Sequence, residues 1–309
     1  MGEPNKEATR STGASESQQL RRFWRESGRS GRGRLLRFVH GMIYLRWQYT
    51  YVGVALADRK LPRLLRPLSW LARWLFFRTR GSNAWLKRHW AERYHGKVVR
   101  TDSAERLVTL DHPIEIRATE KVVPYSRARD IVLREPSRIV VLECACRAAR
   151  ESPCLPLDVC LFIGEPFASQ IAAYHPAKAR FISQDEAVRI LREERDRGHV
   201  HHVFFKDALL GRFYAICNCC SCCCGAMEAY RYGTSMLAPS GYVAELSEHR
   251  CTSCGRCIVA CPFGAIQRVD GRVSIVRNRC MGCGVCECVC SAGALRLRET
   301  EGSLEPLAI

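Results

Sequence analysis

Residues 251–262 read CTSCGRCIVACP, and residues 280–291 read CMGCGVCECVCS. Both stretches follow the spacing C-x2-C-x2-C-x3-C, and each cysteine of the first lies 29 positions before its counterpart in the second. The repeat continues beyond the cysteines, because Gly264-Ala265-Ile266 matches Gly293-Ala294-Leu295. A doubled and contiguous set of thiols predicts two compact metal sites within one small domain.

This pattern resembles the bacterial two-cluster [4Fe-4S] ferredoxin over about 60 residues, and in that family the fourth cysteine of each run ligates the other cluster. The resemblance implies that cluster I is held by Cys251, Cys254, Cys257 and Cys290, and cluster II by Cys280, Cys283, Cys286 and Cys261. Zinc is the alternative, since C-x2-C pairs also bind zinc, although zinc modules usually separate their pairs more widely.

The second run departs from the family pattern at two positions. Ser291 stands where the first run has Pro262, which removes a turn residue but no ligand. Cys288 is an additional thiol inside the last spacer, either unused or competing with Cys290. An apolar jacket around the clusters is predicted from Ile258, Val259, Ile266, Val273, Ile275, Val285, Val289 and Leu295.

Ten further cysteines precede this repeat, each group following a predicted strand: Cys144, Cys146, Cys154 and Cys160, then Cys217, Cys219, Cys220, Cys222, Cys223 and Cys224. Residues 120–300 resemble a family of ferredoxin-like proteins from anaerobes with a CxCR…CNCCxCCC domain before two clusters, presumed to transfer electrons. We expect a third iron–sulfur cluster from a subset of these thiols, with zinc or a second additional cluster as alternatives.

Other side chains near the upstream cysteines have two interpretations each. His175, His199, His201 and His202 are candidate ligands, or half-exposed strand residues. Arg147, which follows Cys146, either compensates the charge of a cluster or is an ordinary surface arginine.

The charge of the 309-residue chain is concentrated in its first third. Residues 1–100 contain 22 Lys and Arg against 6 Asp and Glu, and no cysteine. We predict a disordered tail over 1–30 and a basic, aromatic, amphipathic helical region over 31–100, with a helix at 67–79. The longest uncharged apolar stretch of this third, residues 47–57, is too short to span a bilayer, and no secretory signal is apparent. We therefore expect no transmembrane helix, and reduced thiols in the cytoplasm.

The remaining pattern predicts an α+β fold: a cysteine-rich α/β domain over 101–240, a ferredoxin-like two-cluster (ββα)2 module over 241–300, and a tail at 301–309. Ser126 is expected to cap a helix through Leu133, and Ser183 a helix that stops at Gly198. Strands are expected at 138–143, 199–205 and 212–217, the last two paired, with a linker at 233–241.

These features together predict an iron–sulfur protein that passes single electrons between a donor and a larger oxidoreductase. The alternatives are an iron–sulfur enzyme with a substrate-binding cluster in the CNCCSCCC region, and a redox-responsive regulator. Redox proteins are the expected partners. Residues 35–80, where tryptophan alternates with arginine, favour contact with the inner membrane face or a protein partner over nucleic acid. The alternative is that this region packs back onto the cysteine-rich domain with its arginines solvated.

Overall fold

An eight-stranded, curled sheet organises the middle of the chain, and helices from the N-terminal third pack on it. The computed structural model describes residues 16–27, 31–56, 62–74, 84–300 and 304–308. No helix within these ranges is long and apolar enough to cross a membrane. The fold is a mixture of helix and sheet, as the sequence predicts.

Five helices precede the first strand: α1 Glu16–Glu26, α2 Gly31–Arg46, α3 Gln48–Leu56, α4 Arg66–Arg73 and α5 Ala84–Ala91. The prediction of a disordered tail is therefore wrong over α1, whereas residues 1–15 and 28–30 lie outside the described residues. Phe23 explains the difference, because its ring is fully buried and packs 5.3 Å from the ring of Phe38 and 6.4 Å from that of Phe167. One large buried ring outweighs a polar local composition.

The sheet is built from β1 Tyr94–Val99, β2 Ile114–Arg117, β3 Asp130–Glu143, β4 Asp158–Glu165, β5 Ala179–Ile182, β6 Val200–Lys206, β7 Arg212–Cys219 and β8 Leu237–Ala238. Its order is β2-β3-β4-β7-β6-β1-β8, with β5 paired to β3. The interleaved helices are α6 Thr101–Val108, α7 Ala145–Ala148, α8 Phe167–Tyr174, α9 Gln184–Asp196 and α10 Gly225–Arg231. Since β1 pairs with β6, the predicted boundary at residue 100 comes after the sheet has begun.

Several predicted elements are present, and one is wrong. Ser183 caps α9 by accepting a hydrogen bond from the Glu186 amide, and β6 pairs with β7 in antiparallel fashion. The helix expected from Ser126 to Leu133 is absent, because β3 begins at Asp130. Ile131 and Leu133 are buried there between β2 and the core, so tertiary pairing outweighs the local capping signal.

The C-terminal repeat forms a smaller unit of β9 Tyr242–Leu246, α11 Arg256–Ala260, β10 Ile266–Val269, β11 Arg272–Ile275, α12 Val285–Val289 and β12 Leu295–Glu299. The first strand pairs with the last, and β10 pairs with β11. Its own core consists of Ala244, Cys257, Ile266, Val273, Cys286 and Leu295. Val259, predicted to belong to the apolar jacket, is instead 91% exposed.

The segment 233–241, predicted to be a linker, is packed against both units. Thr234 is fully buried, and β8 pairs with β1 in parallel fashion. Ser240 donates its amide to the Met281 carbonyl oxygen over 3.0 Å and its hydroxyl to the Gly282 carbonyl oxygen over 2.8 Å. The two cysteine-rich regions are thereby joined through a buried contact.

Candidate metal centres

Eight of the nine cysteines of the C-terminal unit lie in two groups of four, and each group takes one member from the other run. Burial, with Cys251, Cys290 and Cys254 close by, raises the pKa of Cys257. Burial also raises the pKa of Cys283 to about 12, with Cys261 and Cys280 as neighbours. Cys286 has Cys283, Cys280 and Cys261 around it in the same way. The cysteines that are brought together are those that the resemblance to two-cluster ferredoxins assigns to clusters I and II, and their role as ligands remains a prediction.

Backbone N–H groups point at the sulfurs of these groups. Ala265 donates to Cys261 Sγ and Ala294 donates to Cys290 Sγ, each over 3.3 Å, and these two bonds are related by the sequence repeat. Ala244 donates to Cys280 Sγ over 3.4 Å. Hydrogen bonds to sulfur favour the thiolate, which is the form that binds iron. The donor set and its surroundings therefore fit [4Fe-4S] clusters.

Glycines allow the tight turns that carry the cysteines. Gly255 and Gly284 begin α11 and α12 in the left-handed conformation, with φ of 78° and 83°. A Cβ on Gly282 would lie 2.3 Å from the Tyr242 carbonyl oxygen. Any other residue at 282 would therefore push the second run away from β9.

The additional thiol Cys288 is exposed and faces away from this arrangement. Its charged neighbours are Arg195, Glu287 and Asp196, two of which lie at the end of α9. Of the two interpretations of Cys288, the unused thiol agrees better with these surroundings than a competitor of Cys290.

Six of the ten upstream cysteines form a closed ring of thiols, which we call the six-thiol ring. Each thiol of the ring interacts with the next in the order Cys217, Cys160, Cys144, Cys146, Cys224, Cys219, and Cys219 is again close to Cys217. Contact with Cys146, together with burial, raises the pKa of Cys144 to about 12. Thiols in this state become metal ligands by giving up protons that they otherwise hold tightly.

Strand register explains how the ring forms. Cys160 of β4 lies opposite Cys217 of β7 on one side and opposite Leu142 of β3 on the other. Because side chains alternate along a strand, Cys219 and Cys144 follow two residues later on the same face. The ends of β3 and β7, each followed by cysteines, therefore lie on either side of β4.

The other four upstream cysteines form a separate group, which we call the outer quartet: Cys154, Cys220, Cys222 and Cys223. Cys154 lies in the loop between α7 and β4, and its partners lie in the turn between β7 and α10. All four Sγ atoms lie within 4.8 Å of one another. The ten cysteines are therefore divided six to four, a division that the spacing in the sequence does not reveal.

Of the two interpretations of Arg147, the structure contradicts the ordinary surface arginine. It is not a surface residue, because it is only 1% exposed, and its guanidinium pairs with the fully buried Glu194. It also donates to the Asn218 carbonyl oxygen over 3.1 Å, next to the cysteines of β7. Cys144 and Cys220 are close enough for their thiolates to help raise its pKa. Arg147 therefore ties α7 to α9 and places positive charge beside both upstream groups.

Most of the candidate histidine ligands are engaged with protein groups. His175 donates to the Leu45 carbonyl oxygen over 2.8 Å, His199 Nδ1 lies 2.7 Å from Glu194 Oε2, and His201 Nδ1 lies 2.6 Å from Asn218 Oδ1. His202 differs, since it is fully buried directly opposite Cys217. Burial lowers the pKa of His202 to about 3, which keeps its imidazole in the neutral form that binds metals.

A cavity of about 640 Å³ lies between the N-terminal helices and the sheet, and Cys146 of the six-thiol ring forms part of its wall. Exposed apolar residues line it towards the surface, among them Ile43 of α2, Trp47 between α2 and α3, and Leu68 of α4. Polar side chains are few along this lining. The cavity is suited to an apolar molecule near the ring.

Beside this cavity lies a lysine that sequence reasoning missed. The Lys206 amine is enclosed by the rings of Tyr44, Tyr51, Trp90 and Tyr94, at 4.5, 4.9, 5.9 and 4.3 Å from their centroids. Burial lowers its pKa to about 7. The rings come from four separate elements, so no local pattern could have pointed to this site.

Comparison with known proteins covers one part of the chain. Residues 244–267 match the family model of the 4Fe-4S binding domain. No curated protein matches the chain. The match includes the first cysteine run and the last three residues of strand β9. The chain therefore contains a 4Fe-4S binding domain and is an iron–sulfur protein.

Proposed function

We propose that this protein transfers single electrons through two [4Fe-4S] clusters in its C-terminal unit, between a redox partner and a larger oxidoreductase. The observation that carries the proposal is the crossed grouping of thiols, in which Cys257 has Cys290 from the other run as a neighbour, and Cys286 has Cys261. A [4Fe-4S] cluster bound in such a group supplies reversible one-electron storage. The chain's own residues supply thiolates, N–H donors and an apolar surround.

The difference in burial between the two thiol groups supports a direction for electron transfer through the C-terminal unit. Cys254 of the first group is exposed, next to the 91% exposed Val259, which suits docking of a redox partner. Cys283 of the second group packs against the core of the large domain, as does Phe263. The Phe263 ring lies 6.1 Å from that of Tyr230 on α10, the helix that begins directly after Cys224. The C-terminal unit would thus face a partner at one end and the six-thiol ring at the other.

We further propose that the six-thiol ring holds a third iron–sulfur cluster. Four thiolates suffice for a [4Fe-4S] cluster, and the ring offers six, with neutral His202 beside Cys217. Buried Arg147, whose pKa is raised mainly by Glu194 and further by Cys144 and Cys220, would offset the negative charge. Zinc remains the alternative for this ring, because four thiolates suit it equally well.

The surface of the N-terminal helices supports peripheral contact with a membrane. In the described part of α4 and the turn before it, Leu64, Leu68, Trp70, Leu71 and Trp74 are all more than 40% exposed, while Ser69 faces inward. The helix therefore presents its apolar side outward, beside Arg66 and Arg73, in a manner suited to a lipid interface. Residues 75–79 of the expected helix lie outside the described residues.

An electron count tests the main proposal. Protein purified without oxygen is reduced with dithionite, freed of excess reductant and titrated with ferricyanide while cluster absorption is followed. We expect at least two electrons per chain, at least one fewer in Cys286→Ser, and no change in the matched control Cys288→Ser. A chain that takes up no electrons, or a Cys286→Ser variant that keeps all of them, would contradict the proposal.

The cavity beside Cys146 supports a second candidate, an iron–sulfur enzyme that binds an apolar substrate next to the six-thiol ring. The test is turnover with an artificial reductant in the native chain and in Cys219→Ala. Turnover that disappears in this variant, while the C-terminal clusters stay reducible, would favour the enzyme over a simple carrier.

A further inference from the structure

The spacing of sulfur atoms differs between the outer quartet and the other thiol groups. In the quartet, Cys222 Sγ lies 3.6 Å from Cys223 Sγ and 2.9 Å from Cys154 Sγ, and all four Sγ atoms are within 4.8 Å of one another. A tetrahedral zinc ion with Zn–S bonds of about 2.3 Å holds its sulfurs about 3.8 Å apart. The quartet is therefore close to the size of a site for one ion.

The remaining cysteines provide an internal comparison. All 19 cysteines lie within the described residues, and no three thiols outside the quartet come within 4.8 Å of one another. Wider spacing is what a cubane needs, because each thiolate binds a different iron at the corner of a larger body. The two C-terminal groups, whose first cysteine run lies in the 4Fe-4S family match, show this wider spacing, and the quartet does not.

Hydrogen bonds from two arginines hold the turn that carries three of the quartet's cysteines in place without a metal ion. Arg150 donates to the Cys223 carbonyl oxygen over 3.0 Å and to Glu228 Oε2 over 2.6 Å, which fixes the turn to α10. Arg231 donates to the Ser221 carbonyl oxygen over 2.7 Å. Four thiolates around a divalent ion carry a net charge of −2, and these two guanidinium groups lie beside it.

We propose that Cys154, Cys220, Cys222 and Cys223 form a tetrahedral, four-thiolate site for a single Zn²⁺ ion, separate from every iron–sulfur cluster of the chain. Zinc is favoured over a single iron because the same donor set binds Zn²⁺ more tightly than Fe²⁺. The exposed Cys222 gives the ion access from solvent, while Cys220 and Cys223 are buried. The ion would pin the loop 149–157 to the turn 220–224 and take no part in electron transfer.

Metal analysis of the full chain tests this site. Zinc, iron and acid-labile sulfide are measured per chain in protein purified without oxygen, for the native sequence, the double variant Cys154→Ser/Cys222→Ser and the control Cys288→Ser. We expect about one zinc in the native chain and in the control, and loss of that zinc with unchanged iron and sulfide in the double variant. Zinc retained by the double variant would overturn the proposal.

Other results would also overturn it, including some that do not depend on the folding of a variant. X-ray absorption at the zinc edge of the native protein should show four sulfur ligands at about 2.3 Å, and nitrogen or oxygen ligands would contradict this. If the native chain holds no zinc and the double variant loses iron and sulfide, the four cysteines bind an iron–sulfur cluster instead. If the double variant loses one iron and no sulfide, they bind a single iron ion. A metal-free Cys154–Cys222 disulfide, detected by mass spectrometry, would equally exclude the site. Iron and sulfide report separately on the proposed electron-transfer function.

Discussion

The C-terminal unit and the upstream domain both concentrate cysteines, but they bring them together by different means. In the C-terminal unit, short runs with fixed spacing supply three thiols of each group, and only Cys261 and Cys290 cross over. In the upstream domain, the six-thiol ring draws on the ends of β3 and β7, on β4 and on the start of α10. Local spacing therefore specifies the first kind of site, whereas strand register specifies the second.

The largest expected effect breaks the C-terminal unit. Cys257 and Cys286 belong to its small core, so a Cys257→Ser/Cys286→Ser variant removes two proposed cluster ligands and their packing together. We expect loss of about eight irons per chain and rapid proteolysis within residues 242–300, since a domain this small depends on its metal. Iron analysis and limited proteolysis measure the two effects.

The matched control is Cys288→Ser, which changes an exposed thiol on the same helix. It should keep the iron content and the resistance to protease of the native chain. Equal loss in both variants would show that crowding of thiols, rather than the crossed grouping, governs the unit.

The next largest effect is a loss of iron from the upstream domain alone, which distinguishes it from the C-terminal unit. A Cys144→Ser/Cys160→Ser/Cys217→Ser variant removes three neighbouring thiols of the six-thiol ring and leaves three, one fewer than a [4Fe-4S] cluster needs. We expect loss of about four irons, with the C-terminal clusters still reducible, because the ring and the C-terminal groups share no cysteine. Unchanged iron content would show that the ring binds no cluster.

Buried charge in the upstream domain gives a smaller effect on stability. Arg147→Met removes the buried guanidinium that pairs with the fully buried Glu194, while His199 and Arg197 still contact this carboxylate. We expect a loss of about 3 kcal/mol in the free energy of unfolding, at the lower end for breaking a buried pair, because the two remaining partners compensate part of the charge. Chemical unfolding followed by tryptophan fluorescence measures this.

Arg197→Met provides the control, since Arg197 contacts the other oxygen of the same carboxylate from an exposed position, over 3.2 Å. Its loss should cost at most about 1 kcal/mol. Similar costs for the two variants would show that Arg147 does not anchor α7 to α9.

The smallest predicted effect concerns pH. Burial lowers the pKa of Lys206 to about 7, whereas an unfolded lysine titrates near 10.4. Between these values the unfolded chain binds more protons, so the free energy of unfolding rises with pH. The stabilisation by Lys206→Met should therefore be about 2 kcal/mol larger at pH 6 than at pH 8.5.

Chemical unfolding at the two pH values measures the difference. Lys121→Met, at an exposed lysine, should change the free energy of unfolding equally at both. A Lys206→Met effect that does not depend on pH would mean that the surrounding rings hold the amine charged throughout this range.

The sequence predicted what depends on local chemistry. The two cysteine runs, the cap of α9 at Ser183 and the pairing of β6 with β7 could all be read from short patterns. The division of the ten upstream cysteines could not, because it follows from which strands become neighbours. The strand at Asp130 and the burial of Phe23 were missed for the same reason.

Side chains that act across the sheet were also beyond prediction. Arg147 follows a cysteine in sequence, but its partner Glu194 is 47 residues away. The four rings around Lys206 come from α2, α3, α5 and β1. An amphipathic helix usually buries its apolar side, whereas α4 exposes that side to solvent. Only the packing of α4 in the structure shows this orientation.

The most direct test of the central claim is electron paramagnetic resonance of the full chain, purified without oxygen and reduced with dithionite. Two [4Fe-4S] clusters with crossed ligands lie close together, so we predict a reversible spectrum in which two reduced clusters broaden each other magnetically. A chain that shows no reducible iron–sulfur signal, or one isolated signal with zinc in place of the second cluster, would contradict the account.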